Sequence, residues 1–220
     1  MDMKIIYHDS DIAVCIKPAG VLSEGSALDG SSAVALIAQA LGTDKVFPVH
    51  RLDRETYGLM VYALNERAAS ELSRAVAEHR LEKKYIALVI GKPDPDCGDM
   101  NDLLYYDRQR NKSFTVKKER KGVKSASLSY ETLDFCEETG VSRVLVTLHT
   151  GRTHQIRVQF ASRKLPLCGD RKYGAPAKFG NSLKLASVFL AFPHPKSGER
   201  TEFRLDEKNN CEFFEKPFTI

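Results

Sequence analysis

At 220 residues the chain can bury a sizeable core but rarely makes more than one or two compact domains, so one catalytic-sized domain over 1–220 is expected. A formal net charge of +4 and a pI near 8.7 permit a polyanionic partner without the charge density of a DNA-coating protein. The five scattered cysteines, Cys15, Cys97, Cys136, Cys168 and Cys211, form no C-x-x-C pair, no leader-like segment opens the chain, and no run nears the ~18 apolar residues of a membrane span. A soluble protein of the reducing cytoplasm is therefore expected.

"KIIYHD" and "IAVCIK" read as strands, with a turn at Pro18 to Gly20. "SSAVALIAQALG" reads as a helix with Ser31 or Ser32 as cap and Gly42 as stop. "PVHRLD" leads into the strand "GLMVYAL", and "NERAASELSRAVAEHR" is a helix capped by Asn65, with Ala68, Leu72 and Val76 along one face. The strand "KYIALVIG" follows. From Arg108 to Lys124 the chain carries eight basic residues against the single acid Glu119, with Phe114 and Val116 interleaved at strand spacing. Strands return in "SASLSYETLDF" and "SRVLVTLHT", and "THQIRVQFASRK" has helical periodicity with Thr153 as its cap. "ASVFLAFPHP" and "RTEFRL" close the sheet. The irregular alternation, without repeats or heptads, favours an α+β domain with a mixed sheet over a doubly wound one.

The common nucleotide and metal signatures are missing: there is no G-x-x-x-x-G-K-[ST], no G-x-G-x-x-G and no H-E-x-x-H. Three segments then carry the candidate chemistry. In "VHRLDRETYGLMVYAL", Asp53 lies between Arg51 and Arg54, and neighbouring guanidinium groups favour an ionised carboxylate, suited to act as a nucleophile or cation stabiliser rather than an acid. Arg51, Asp53, Arg54 and Glu55 also read as a solvated ion-pair cluster. Tyr85 starts a strand beside Lys83 and Lys84, where a half-buried sheet aromatic is the plain alternative. "GRTHQIR" offers backbone N–H groups at a helix start to an anion, with Arg152 and Arg157 on different helix faces. Its His154 reads equally as a hydrogen-bonded structural histidine.

Taken together the segments resemble the RluA-type pseudouridine synthases, which isomerise selected uridines in ribosomal or transfer RNA. The resemblance covers almost the whole chain, through "IKPAGVLS" from Ile16, "HRLDRETYGL" from His50, "KKYIALV" from Lys83, "GRTHQIRVQFA" from Gly151, "GDRKYG" from Gly169 and "FPHP" from Phe192. It implies a bent, largely antiparallel mixed sheet with flanking helices and a central RNA-binding cleft. Asp53 matches the essential catalytic aspartate, Arg157 the arginine paired with it, and Tyr85 the tyrosine that stacks on uracil and is implicated in removing the C5 proton. Arg51 matches the arginine that fills the extruded base's place or holds phosphate. Arg152, His154, Lys83 and Lys84 are expected to contact substrate, and no cofactor is required.

The chain departs from the family pattern at Ile16, where Asn is usual, at Tyr57, where a small residue is usual, and at Gln159 and Ala186, where His is common. The resemblance begins at the catalytic domain, so no N-terminal S4-type domain like that of some relatives is expected, and the cleft and the basic 108–124 stretch are expected to bind RNA. Two rival readings are a catalytically silent RNA-binding module and a metal-dependent phosphodiesterase using His50, Asp53, His149 and His154. The second places Arg51 and Arg157 where they would repel the ion. A monomer is expected.

Overall fold

The computed structural model describes residues 3–25 and 30–205. In chain order these give β1 (Lys4–His8), β2 (Ile12–Lys17), α1 (Ala33–Leu41), β3 (Phe47–Pro48), β4 (Tyr57–Ala63) and α2 (Glu66–Ala77). Then come β5 (Glu82–Ile90), β6 (Cys97–Asp107), β7 (Lys112–Val116), β8 (Val123–Cys136), β9 (Val141–Leu148), α3 (Gln155–Ser162), β10 (Leu185–Pro193) and β11 (Arg200–Arg204). Parallel and antiparallel pairings coexist, so the α+β class with a mixed sheet holds. Cys211 lies outside the described residues, and the other four cysteines are free thiols. Among the described residues no helix is long and apolar enough to cross a membrane. The described chain divides into two compact units, residues 3–83 with 186–205, and residues 84–185.

In the first unit β2 lies antiparallel between β1 and β4, and β4 runs parallel to β10, which also pairs β11. Every residue of β2 and all but the last of β10 are buried, which is why "IAVCIK" and "ASVFLAF" are unbroken apolar runs rather than alternating ones. Gly58 sits at the centre of this arrangement, opposite Lys17 on one side and Ser187 on the other. Its φ is +120°, and a Cβ there would stand 2.2 Å from the Ser187 carbonyl oxygen. Only glycine allows the strands to approach so closely. Ser32 caps α1 by accepting from the Ala35 N–H at 3.2 Å, and Gly42 ends it in the left-handed conformation. Asn65 caps α2 as expected, accepting from Ala68 N–H at 2.9 Å. Its buried face is Ala68, Leu72 and Ala75, with Val76 only half-buried.

In the second unit the strand order is β5-β9-β8-β6-β7. The sequence pattern misses β6, the partner of both β7 and β8, because its exposure alternates irregularly and polar residues occupy much of its length. Leu104 and Ala126 on these strands pack with Val158 of α3 and with Tyr173, and Phe160 meets the Tyr130 ring edge-on at 5.7 Å. Thr153 does not cap α3. The residue at the cap is His154, in a left-handed conformation (φ 54°) with no side-chain cap, and the helix is shorter than its periodicity predicts. Arg152 consequently lies in the loop before the helix, not on a helix face.

Candidate active site

The segment 50–56 precedes β4 and belongs to no strand or helix, yet its main chain is pinned at several atoms. Buried Ser23 brackets Leu52, its Oγ accepting from Leu52 N–H at 3.0 Å and donating to Leu52 C=O at 2.8 Å. The Asp53 carbonyl accepts from Thr56 N–H, and the Arg54 carbonyl accepts from Gly20 N–H. Lys17, wholly buried, donates its Nζ to the carbonyls of Pro18, Val21 and Arg54 at 2.9, 2.8 and 3.1 Å. The turn after β2 and the loop bearing Asp53 are thus stapled by one ammonium group. Burial pushes the Lys17 pKa down to about 8, while the carboxylates of Glu55 and Asp53 oppose that shift. On the other side of the loop, His50 Nε2 accepts from Val61 N–H at 3.1 Å. Burial, helped by the Lys83 charge, pushes the His50 pKa down to about 3, so the ring is neutral.

Asp53 itself is half-buried on this fixed backbone. Arg51 is exposed and pairs with Glu24 at 3.0 Å, and Arg54 donates its Nε to Gly20 C=O at 2.9 Å. On β5, Lys83 and Lys84 are half-buried and Tyr85 is 4% exposed, more enclosed than a sheet-face aromatic with one side in water. Burial lowers the Lys83 pKa.

The 149–157 segment is organised by a residue that sequence reading passed over, Gln155. Its Oε1 accepts from the Arg152 N–H and the Thr150 hydroxyl, at 3.0 and 2.8 Å, and its Nε2 donates to the Ser127 carbonyl at 3.1 Å. The side chain thus braces the loop before α3 and ties it to β8. Arg152 donates its Nε to Ser125 C=O at 2.9 Å. Arg157 is buried in a bidentate pair with Asp170, Nε to Oδ2 at 2.7 Å and Nη2 to Oδ1 at 2.8 Å. Its guanidinium also lies 5.2 Å from the Tyr173 ring centroid. Tyr173 in turn meets His154 Nδ1 at 3.0 Å through its hydroxyl, which also accepts from Ser113 N–H at 2.8 Å. Asp170 and Tyr173 both lie in "GDRKYG". They were legible as part of a motif, but nothing in their spacing from Arg157 revealed the pairing. Gly169 positions Asp170 from a left-handed backbone (φ +74°), where a Cβ would fall 1.9 Å from Ser182 C=O.

The histidines required by the metal-centre reading are otherwise engaged: His50 Nε2 by Val61, His149 Nε2 by the Ser129 hydroxyl at 2.7 Å, and His154 Nδ1 by Tyr173. Among the described residues no group of three His, Cys, Asp or Glu side chains could hold a metal ion. Of the positions that depart from the family pattern, Gln159 is fully buried and donates to Met100 C=O and to Asp102 at 3.1 and 2.7 Å, a structural role.

Residues 11–162 match the family model described as RNA pseudouridylate synthase. The chain is 37% identical over 213 residues to an uncharacterised RNA pseudouridine synthase of Mycobacterium bovis, with 91% of this chain and 68% of that protein covered. It is 32% identical over 202 residues to the dual-specificity RNA pseudouridine synthase RluA of Escherichia coli, with 91% of each covered. Among solved structures, human RNA pseudouridylate synthase domain containing 1 superposes with a TM-score of 0.77 at 22% identity, covering 96% of this chain and 87% of that one. That likeness concerns the fold.

Proposed function

Since this chain belongs to the RNA pseudouridylate synthase family, and is therefore an RNA pseudouridine synthase, we propose that Asp53 is the carboxylate that opens its reaction. The observation that supports this assignment is the pinning of the loop around Asp53, at Leu52 by Ser23, at Asp53 by Thr56 and at Arg54 by the buried Lys17, which fixes the main chain that bears the carboxylate before substrate arrives. In the reaction the C1′–N1 bond breaks, uracil turns over, and a C1′–C5 bond forms. C5 loses a proton and N1 gains one, so atoms and electrons balance within one nucleotide. Asp53 either adds to C1′ or removes the C2′ proton to give a glycal-like intermediate.

Arg157 is the proposed partner of Asp53, as its match to the family motif implies, and its bidentate hold on Asp170 fixes the guanidinium on α3. Tyr85 stacks on the uracil and takes part in removal of the C5 proton. Arg51, Arg152, His154, Lys83 and Lys84 contact the RNA around the target nucleotide. No redox cofactor is needed, since nothing is oxidised or reduced overall, and the proposed residues carry the reaction without a metal. The substrate is a uridine in ribosomal or transfer RNA, flipped from its helix at a cost of a few kcal/mol that stacking and phosphate contacts offset. The protein acts on it as a monomer in the cytoplasm.

Asp53→Asn tests the assignment, because it keeps the shape and removes the charge. Turnover of an unmodified RNA transcript should fall by at least about three orders of magnitude, ~4 kcal/mol of transition-state stabilisation. RNA affinity should stay equal or tighten slightly, since a negative charge facing phosphate is lost. Near-parental pseudouridine formation by the Asn variant would reduce Asp53 to a surface ion-pair residue. Mapping pseudouridine in total RNA with and without the gene identifies the target.

A further inference from the structure

The second unit contains a groove of about 730 Å³ between the β6–β7 hairpin, the start of β8 and the loop 151–153. Its size falls within the ~300–1,000 Å³ of ordinary ligand sites. Four cations line it, Arg108, Lys121, Lys124 and Arg152, and among the described residues none of them is in an ion pair. The acid in the lining, Asp107, is occupied by the Gln109 and Arg110 N–H groups and by the Arg110 guanidinium at 3.6 Å. Tyr106 adds an aromatic side chain that is 36% exposed. Its hydroxyl donates to Asn111 at 2.8 Å, while no ring or cation covers its face among the described residues. Neighbouring Tyr105 differs, with the Arg120 guanidinium 4.8 Å from its ring centroid. The floor is held by Ser113, whose hydroxyl donates to Thr153 C=O at 2.5 Å.

An open groove with four unpaired cations and one uncovered aromatic face has the chemistry of a single-stranded nucleotide site: phosphate is held by charge and the base by stacking. We propose that this groove binds one nucleotide of a single-stranded segment of the RNA, its base on Tyr106 and its phosphate among Lys121, Lys124 and Arg152. The proposal rests on the reading above that RNA is the substrate, and it adds a second point of attachment, on elements that carry none of the proposed reacting groups. Only part of the basic 108–124 stretch takes part. Lys117 and Lys118 are exposed but do not line the groove.

That distinction gives a charge-matched test using a labelled single-stranded oligouridylate of about ten nucleotides. Lys121→Ala with Lys124→Ala should weaken binding about tenfold more than Lys117→Ala with Lys118→Ala, although each pair removes two charges. Tyr106→Leu should weaken binding about tenfold with an unchanged salt slope, because no charge is lost, and Tyr106→Phe should bind like the parent. Equal losses from the two lysine pairs, parental binding by Tyr106→Leu, or a Phe variant as weak as Leu would each overturn the site. Pseudouridine formation by the parent protein on a transcript is read separately. Its absence would sink the catalytic reading, while the binding comparison still decides the groove.

Discussion

Two bases hold the loop that carries Asp53, and burial acts on both. Lys17 has three carbonyl acceptors and two carboxylates nearby, and its pKa of about 8 leaves it charged at neutral pH. His50 has the opposite need, because its Nε2 must accept from Val61 N–H and a protonated ring would have no lone pair to offer. The native ring therefore resists protonation down to about pH 3, whereas in the unfolded chain it protonates near the ordinary 6.5. The unfolded state then binds more protons across that interval, so this contribution to stability is complete above about pH 6.5 and is lost as pH falls toward 3. Chemical denaturation at several pH values checks it. In His50→Gln, where an amide oxygen can accept from Val61, the slope of stability between pH 6 and 4 should flatten by up to ~1.4 kcal/mol per pH unit. Equal slopes in parent and variant would show that His50 titrates normally.

Among the strands, the approach of β4 to β10 limits what sequence can follow the Asp53 loop. Gly58→Ala would push a Cβ to 2.2 Å from the Ser187 carbonyl in a left-handed backbone, and β4 cannot simply retreat because β2 pairs its other edge. The expected cost is about 3 kcal/mol or more, read as a lowered denaturation midpoint or as insoluble protein. A variant as stable as the parent would mean that the strands separate freely. The glycine was visible in "ETYGLMVYAL", but its reason was not, since Ser187 is remote in sequence. The same limit explains the other differences. Capping by Asn65, and by one of Ser31 and Ser32, was legible because a cap and its N–H lie three residues apart, and the structure selects Ser32. The entry to α3 was not, because its polar contacts run through Gln155 to Ser127 on another strand. Arg157 was singled out by its motif as a partner of Asp53, whereas the pair it makes with Asp170 is set by tertiary folding and was not visible in the sequence.

For the molecule as a whole, the proposed chemistry makes a demand that its overall charge and fold can be tested against. A uridine that loses and regains its bond to the same ribose needs no electron acceptor, phosphate donor or hydrolytic water, so the protein must supply only binding, orientation, proton transfer and exclusion of water. The candidate residues suit those tasks: a carboxylate on a pinned loop, a buried tyrosine, a bidentate arginine and a set of groove-lining cations. The alternative assigned His50, Asp53, His149 and His154 to a metal. Among the described residues, however, no group of three His, Cys, Asp or Glu side chains is placed to hold an ion. The two accounts predict different behaviour under chelation. Purified protein treated with EDTA and given no cofactor should convert uridine to pseudouridine in an unmodified transcript at the rate of untreated protein, measured with the magnesium needed for RNA folding replaced by monovalent salt. Turnover that EDTA abolishes and zinc or manganese restores would return the histidines to the centre of the mechanism and leave Asp53 as a ligand.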